Sequence, residues 1–380
     1  MVFDIKTDLR VQYEYPSGTW NSIQADTYEV DIDRGITVEQ GVFARPDVGT
    51  AQVRLSKRSL SDLMTAPAYK SNQNFRIQYY NGTTWLPLFT GIIQNVIINY
   101  VTETKKLDIT ITAMDLVKVF LGTRLGTYVI TGSTTARSFR NVMGNLGTAV
   151  HAIDSRINLN QWLSQGSGTT QDLAGWNDTT AGEIVTQFLD AELGWLWSSI
   201  DGSTLYYATR NDINLLQSYT WVSTDLTISN VHSTSTSHVC MDNIEMSYNS
   251  DEIANKVKVT RTLTGSTATS VNSTSVSTYG EQSGDFEVEF DNTGLSTLGS
   301  WASAVSTAAT PKSIKSVSVP VVRRDGTVSY IANINIANNI QVEFAASGYS
   351  TLQEIYLISR IGHTINADHW EMNLGLWKGI

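Results

Sequence analysis

Residues Pro87 to Leu121, PLFTGIIQNVIINYVTETKKLDITITAMDLVKVFL, restrict the fold more than any other stretch of the chain. Leu107, Ile109, Ile111 and Ala113 alternate with Asp108, Thr110, Thr112 and Met114. A repeat of two is the mark of a strand with one face buried and one wet. The apolar spacing then changes with no loop between: Leu116, Val117, Phe120 and Leu121 recur at helical intervals. The segment therefore reads as strand, turn, strand and short helix in direct succession. Half-buried strands need neighbours, so the first part of the chain is expected to be a strand-rich unit.

The rest of that unit supplies the neighbours. Leu9 to Tyr15, Tyr28 to Ile36, Gly49 to Leu55 and Phe75 to Tyr80 are strand candidates, and Ser59 to Met64 reads as one helical turn. Asn81-Gly82 before Trp85 marks a hairpin, because both residues tolerate positive φ. After about residue 120 the pattern changes. A helix capped by Ser133 or Thr134 runs through Leu146, with Phe139, Val142 and Met143 on its apolar stripe, and Gly166 to Thr170 reads as a flexible joint. Thr180-Ala-Gly-Glu183 has the form of a capping box. The helix it opens carries Ile184, Val185, Phe188, Leu189 and Leu193, with Gly194 as its stop. A hairpin follows, Trp195 to Trp197 and Leu205 to Tyr207 around Asp201-Gly202. From about 216 strands return: Val257 to Thr262, Asp285 to Asp291, Ser316 to Val322, Ile340 to Phe344, Glu354 to Ile361 and the final HTINADHWEMNLGLW. Gly265 to Thr278 reads as a loop or ragged edge, and 295–308 as a short helix. The expected fold class is mainly β with an α+β insert, divided as 1–120, 121–215 and 216–380.

Charge and chemistry narrow the function. Charged residues are only 16% of the 380, and Ser and Thr together fill roughly a fifth. The net charge of −10 argues against a protein that grips nucleic acid, but not against one that lets DNA pass. Cys240 stands alone, so no disulfide forms within the chain, and a buried, inert thiol is expected. The first residues lack a secretory core and no apolar run would span a membrane, so export by the ordinary route and membrane insertion are not expected. There is no G-x-S-x-G elbow, phosphate loop or H-E-x-x-H. His238-Val-Cys240 and the pair His363 and His369 are too sparse for a metal site. No catalytic set, cofactor or metal is expected. Asp285, Glu287, Glu289 and Asp291 share one strand face. That face suits bulk water, an aqueous channel that repels a polyanion, or calcium. Among the 10 Trp, Trp20, Trp85, Trp195, Trp197 and Trp301 sit in apolar patterns, whereas Trp162 and Trp176 are the candidates for exposed contact in a carbohydrate-binding fibre or adhesin, the alternative reading.

The order of these segments resembles the tail hub proteins of long-tailed bacteriophages, or minor tail proteins, which are related in fold to the central baseplate hub of contractile tails. The likeness lies in VDIDRG (Val30 to Gly35), the segment Phe43 to Leu55, FTGIIQNVIINY, LDITITAMDLVKVF, the helix and hairpin GEIVTQFLDAELGWLWSSIDGSTLYYATRND, DEIANKVKVT, and the ending from Gly362 to Trp370. The resemblance implies two tube-type β-barrel or sandwich domains flanking a small helix-plus-hairpin module. It implies a homotrimeric structural virion protein, not an enzyme, which joins the distal tail tube to the tail tip and encloses the DNA channel. The implied partners are further copies of itself, a distal tail protein, a tape measure protein and tip or fibre proteins, with DNA only in passing. The implied place is the virion tail tip, after assembly in the host cytoplasm. The loop Phe43, Ala44, Arg45, Pro46 and Asp47 is the candidate ring interface, and Asp285, Glu287, Glu289 and Asp291 are the candidate channel-facing acids. Many hubs continue into further domains, whereas this sequence stops at Ile380, so receptor contact is expected to fall to other proteins.

Overall fold

The computed structural model describes residues 4–39, 43–57, 70–128, 137–163, 169–170, 176–217, 226–230, 238–247, 253–262, 264–288, 297–300, 302–303, 313–321, 331, 334–345, 351–367 and 369–378. The predicted turn at Ser59 to Met64, Trp301, Glu289 and Asp291 lie outside those residues.

The opening segment folds as its pattern demands. Trp85–Val101 and Lys106–Met114 form a long antiparallel hairpin, with Ile98 opposite Ile109 and Val96 opposite Ile111. Leu107, Ile109, Ile111 and Ala113 are buried, and their alternates are not. Asp115 ends the strand and caps the helix Leu116–Gly122, its carboxylate accepting from the Val117 amide at 3.1 Å. Gly91 explains why the two halves meet so closely. A Cβ there would collide with the Met114 carbonyl, so only glycine lets the two backbones cross.

Strand pairing carries this hairpin into a 15-stranded sheet. From one end the order runs Trp20–Ser22, Leu9–Glu14, Asn74–Tyr80, Trp85–Val101, Lys106–Met114, Thr50–Lys57 and Thr27–Glu39. Thr27–Glu39 then pairs antiparallel with Leu352–Asn366, placing Val30 opposite Ile365 and Ile32 opposite His363. The first and last parts of the chain are thus continuous through one sheet, and one apolar core runs from Ile5 to Trp377. Gly35, at φ +154, sits where a Cβ would strike Ser359 O, beside a bulge in the partner strand.

The middle of the chain builds a second core. Val142, Met143, Leu146 and Val150 of the helix Phe139–Ile153 meet Ile184, Val185, Phe188 and Leu189 of Ala181–Glu192, together with Leu116, Val117 and Phe120. The capping box forms as predicted: Thr180 Oγ1 accepts from the Glu183 amide, and Glu183 Oε2 from the Thr180 amide. The positive-φ residue at the far end is Leu193, at φ 50, and not Gly194. Gly194 is needed for another reason, since a Cβ would stand 2.7 Å from Ala208 O in the next strand. In Trp195–Ser198 every residue is buried, because the strand separates the two cores. Trp195 and Trp197 enter the sheet core, and Leu196 enters the helical one.

One segment departs from its predicted form. Gly265 to Thr278 is not a loop: Thr267–Val271 is an edge strand, in line with the ragged-edge alternative, and Ser273–Tyr279 is a helix that was not expected. The Ser and Thr content of the segment concealed the helix. Thr and Val suit an edge strand, and Asn272 caps the helix by accepting from the Ser275 amide.

Candidate functional site

The polar face of the large sheet carries a depression. Strand register sets Thr364, Asp31, Gln52 and Thr112 in one row across four strands, with Asp33 and Thr50 side by side in the next. Together they line a depression of about 530 Å³. Short side chains and Gly362 leave the space open. Arg360 forks onto both Asp33 oxygens and reaches Asp47 at 3.6 Å, and Arg54 meets Glu29 at 3.0 Å. Among the described residues no ion pair reaches Asp31. Hydroxyl, amide and carboxylate groups of Asp31, Asp33, Thr50, Gln52, Thr112, Thr364 and Asn373 thus line the depression beside Ile32, Gly362 and His363, and the two carboxylates disfavour a polyanion there.

Beneath this face lies a buried charged cluster. Arg34 is in phase with Val30, Ile32 and Ile36, so its side chain points inward. Its Nη1 donates to Asn335 Oδ1 at 3.4 Å, while Nε and Nη2 find no partner among the described residues. Burial lowers the arginine to about 10, partly offset by the charge of Asp115. Burial raises Asp115 to about 7, against the amide of Val117 and the charge of Arg34. His363 is fully enclosed and accepts from Trp370 Nε1 at 3.2 Å. Burial, and then the charge of Arg34, lower it to about 3, so the imidazole is neutral at pH 7. Sequence reasoning passed over this cluster. The one signal was a charged residue at an inward position of VDIDRG, since its partners lie about 80 and 330 residues away in the chain.

The predicted site residues are not brought together. The strand Phe43–Pro46 pairs with Ile36–Glu39, and Phe43's side chain lies outside the described residues. Ala44 is buried, Arg45 is paired with Asp190 on the helix of the insert, and Asp47 accepts from Thr37 Oγ1 at 3.2 Å. Asp285 and Glu287 are exposed and alternate with the buried Phe286 and Val288, as the pattern required. They stand on a separate three-stranded sheet, where Lys258 is in register with Asp285. Trp162 and Trp176 are not free surface aromatics. Trp162 packs edge-on against Trp197 and Tyr206, and Trp176 donates to Gln187 while resting on Phe188. Trp195 and Trp197 are buried as expected, but Trp20 and Trp85 are half-buried on the polar face under Arg76 and Arg10, each at 4.0 Å. Cys240 is exposed, not buried as expected, because it ends an edge strand whose inward residue is Val239. His363 and His369 do not converge, and no cluster of metal-binding side chains occurs among the described residues. No helix among them is long and apolar enough to cross a membrane.

No known family profile matches the chain, and no curated protein matches it. Solved structures do. A tail protein from Neisseria meningitidis superposes with a TM-score of 0.64 at 10% identity, over 98% of each chain. The 43 kDa tail protein of prophage MuSo2 from Shewanella oneidensis gives 0.62 at 13% identity, over 97% of this chain and 96% of that one. An Escherichia coli component of the type VI secretion system, described as structurally similar to the T4 bacteriophage tail proteins gp27 and gp5, gives 0.51 at 7% identity, over 92% of this chain and 73% of the other. Across nearly its whole length, the chain has the tail-hub-like fold of phage tail proteins.

Proposed function

We propose that this chain is a structural subunit of a phage-type tail: a homotrimeric hub that joins the distal tail tube to the tip and surrounds the passage for DNA. The observation that carries the reading is the fold, matched end to end by tail proteins rather than over one domain. Charge supports it. Three copies would carry roughly −30, three times the −10 of one chain, a balance that disfavours retention of DNA. The residues are divided between two β-rich parts, 1–120 and 216–380, and an α+β insert at 121–215, which we propose as its structural units. The row around Asp31, and the row from Asp285 to Asp291, are the two candidate walls of the passage. The segment Phe43 to Asp47, which the structure forms as a strand through Pro46 and not as a loop, is a candidate ring contact beside its contacts within the chain. The neighbours in the assembled tail would be a distal tail protein, a tape measure protein and tip or fibre proteins. The role is structural, without catalysis.

Gold-labelled antibody against this chain, applied to purified tails, tests the placement. Label confined to the tip end supports it. Label along the tube or on the head, or none on intact particles, removes it.

A further inference from the structure

The large sheet has two edges whose apolar layer runs past its own cover. The first is the outer half of the long hairpin. Trp85–Val101 pairs with Asn74–Tyr80 only as far as Ile92. A register shift at Gln94 then carries the strand away, and residues 95–101 pair with Lys106–Met114 on one side alone. Among the described residues no strand occupies the other side. Val96, Ile98 and Tyr100 share a face with the buried Ile111, Ile109 and Leu107. Yet Ile98 is 47% and Tyr100 60% exposed, and Ile97 on the opposite face is 48% exposed. Residues 95–101 contain no charge and no proline, the devices that ordinarily blunt such an edge.

The second edge is Asn243–Ser247. It pairs only with Ser313–Pro320 among the described residues. Ile244 and Met246 stand opposite the buried Val317 and Ile314, on the core side, and Met246 is 53% exposed. The other short edges differ. Val239 of His238–Cys240 is buried, and Trp20 of Trp20–Ser22 lies under the Arg76 guanidinium.

We infer that these two edges are the halves of one contact between copies of this chain, the strand 95–101 of one copy adding to Asn243–Ser247 of the next. Setting the edges side by side continues both the hydrogen-bond ladder and the apolar layer, so Ile98 and Tyr100 are covered by Ile244 and Met246. Charge agrees: Glu103, Lys105 and Lys106 follow the first strand with a net charge of +1, and Glu245 is the one charge on the second. The two edges have different sequences, so the contact is head-to-tail. Repeated by rotation, such a contact closes into a ring instead of stopping at a dimer. A second copy accounts for both edges at once, whereas an unrelated partner accounts for one. The inference rests on the ring reading above and adds which surfaces make it.

Cross-linking between single-cysteine variants tests it. In a Cys240→Ser background, Asn99→Cys and Glu245→Cys place one thiol on the same sheet face of each edge. A mixture of the two variants treated with a short bis-maleimide should give a covalent dimer, and the doubly substituted chain should give species up to three chains. Neither variant alone should cross-link. Independently, Ile98→Glu should weaken assembly at least tenfold by light scattering, with an unchanged far-UV spectrum. A trimer that forms in the native protein, does not cross-link in the mixture and survives Ile98→Glu overturns the edge contact and leaves the ring standing. A native protein that is monomeric at high concentration overturns both.

Discussion

Gly91 shows how one residue joins two elements. Its missing side chain admits the Met114 carbonyl, and Asp115 follows at once as the cap of the next helix. Gly91→Ala should destabilise the fold by about 1–3 kcal/mol, the usual cost of forcing a methyl group into a packed site. Chemical denaturation would read this as a lower midpoint with an unchanged slope. The buried pair around Arg34 makes a second residue-scale prediction. His363 is lowered to about 3, so the unfolded chain binds its proton more readily, and stability is lost as pH falls below the ordinary histidine value. Asp115 is raised to about 7, so the folded chain holds its proton more tightly, and stability is lost as pH rises toward 7. Between pH 7 and 5 each is worth roughly 2 kcal/mol, with opposite sign. The native protein should therefore show little slope from these two groups in that window. His363→Leu should become more stable as pH falls from 7 to 5, and Asp115→Asn less stable. Parallel pH profiles for the native protein and both variants would contradict this assignment.

At the scale of elements, local signals were legible and distant ones were not. The hairpin, the strand-to-helix passage and the capping box were all read from spacing, because each is specified by neighbours in sequence. Thr180→Ala should cost the helix Ala181–Glu192 about 1 kcal/mol, and amide exchange should rise first in its opening turn. Unchanged exchange there would mean that packing against the second core, not the cap, holds that end. The helix hidden in Gly265 to Thr278 was missed, and its strand was read only as a loop or ragged edge, because Ser and Thr rank low in hydrophobic pattern yet serve well on edges and at caps. The candidate site was less legible still. Asp31 and Thr364 meet only because Thr27–Glu39 pairs with Leu352–Asn366, a register that no local spacing announces. The inward Arg34 was visible as an oddity of phase, but its partners Asn335 and Asp115 were not. Trp162 and Trp176 were misjudged because irregular flanks resemble exposure, while Trp162 packs on the hairpin and Trp176 on the helix Ala181–Glu192.

At the scale of the whole molecule, one sheet passes from the first strands to the last, with the α+β insert attached by the doubly buried strand Trp195–Ser198. Such a sheet has a wet face with a depression and two apolar-edged margins, the surfaces on which the proposed ring would draw. A solitary, soluble subunit would have little use for Ile98, Tyr100 and Met246 on its margins. The mass of the native protein in solution tests the account most directly. Light scattering across micromolar concentrations should give a species of three 41.8 kDa chains, about 125 kDa, and negative-stain images of it should show a ring with three-fold symmetry. A single 41.8 kDa species that persists at the highest concentrations, with no ring in images, would contradict the account.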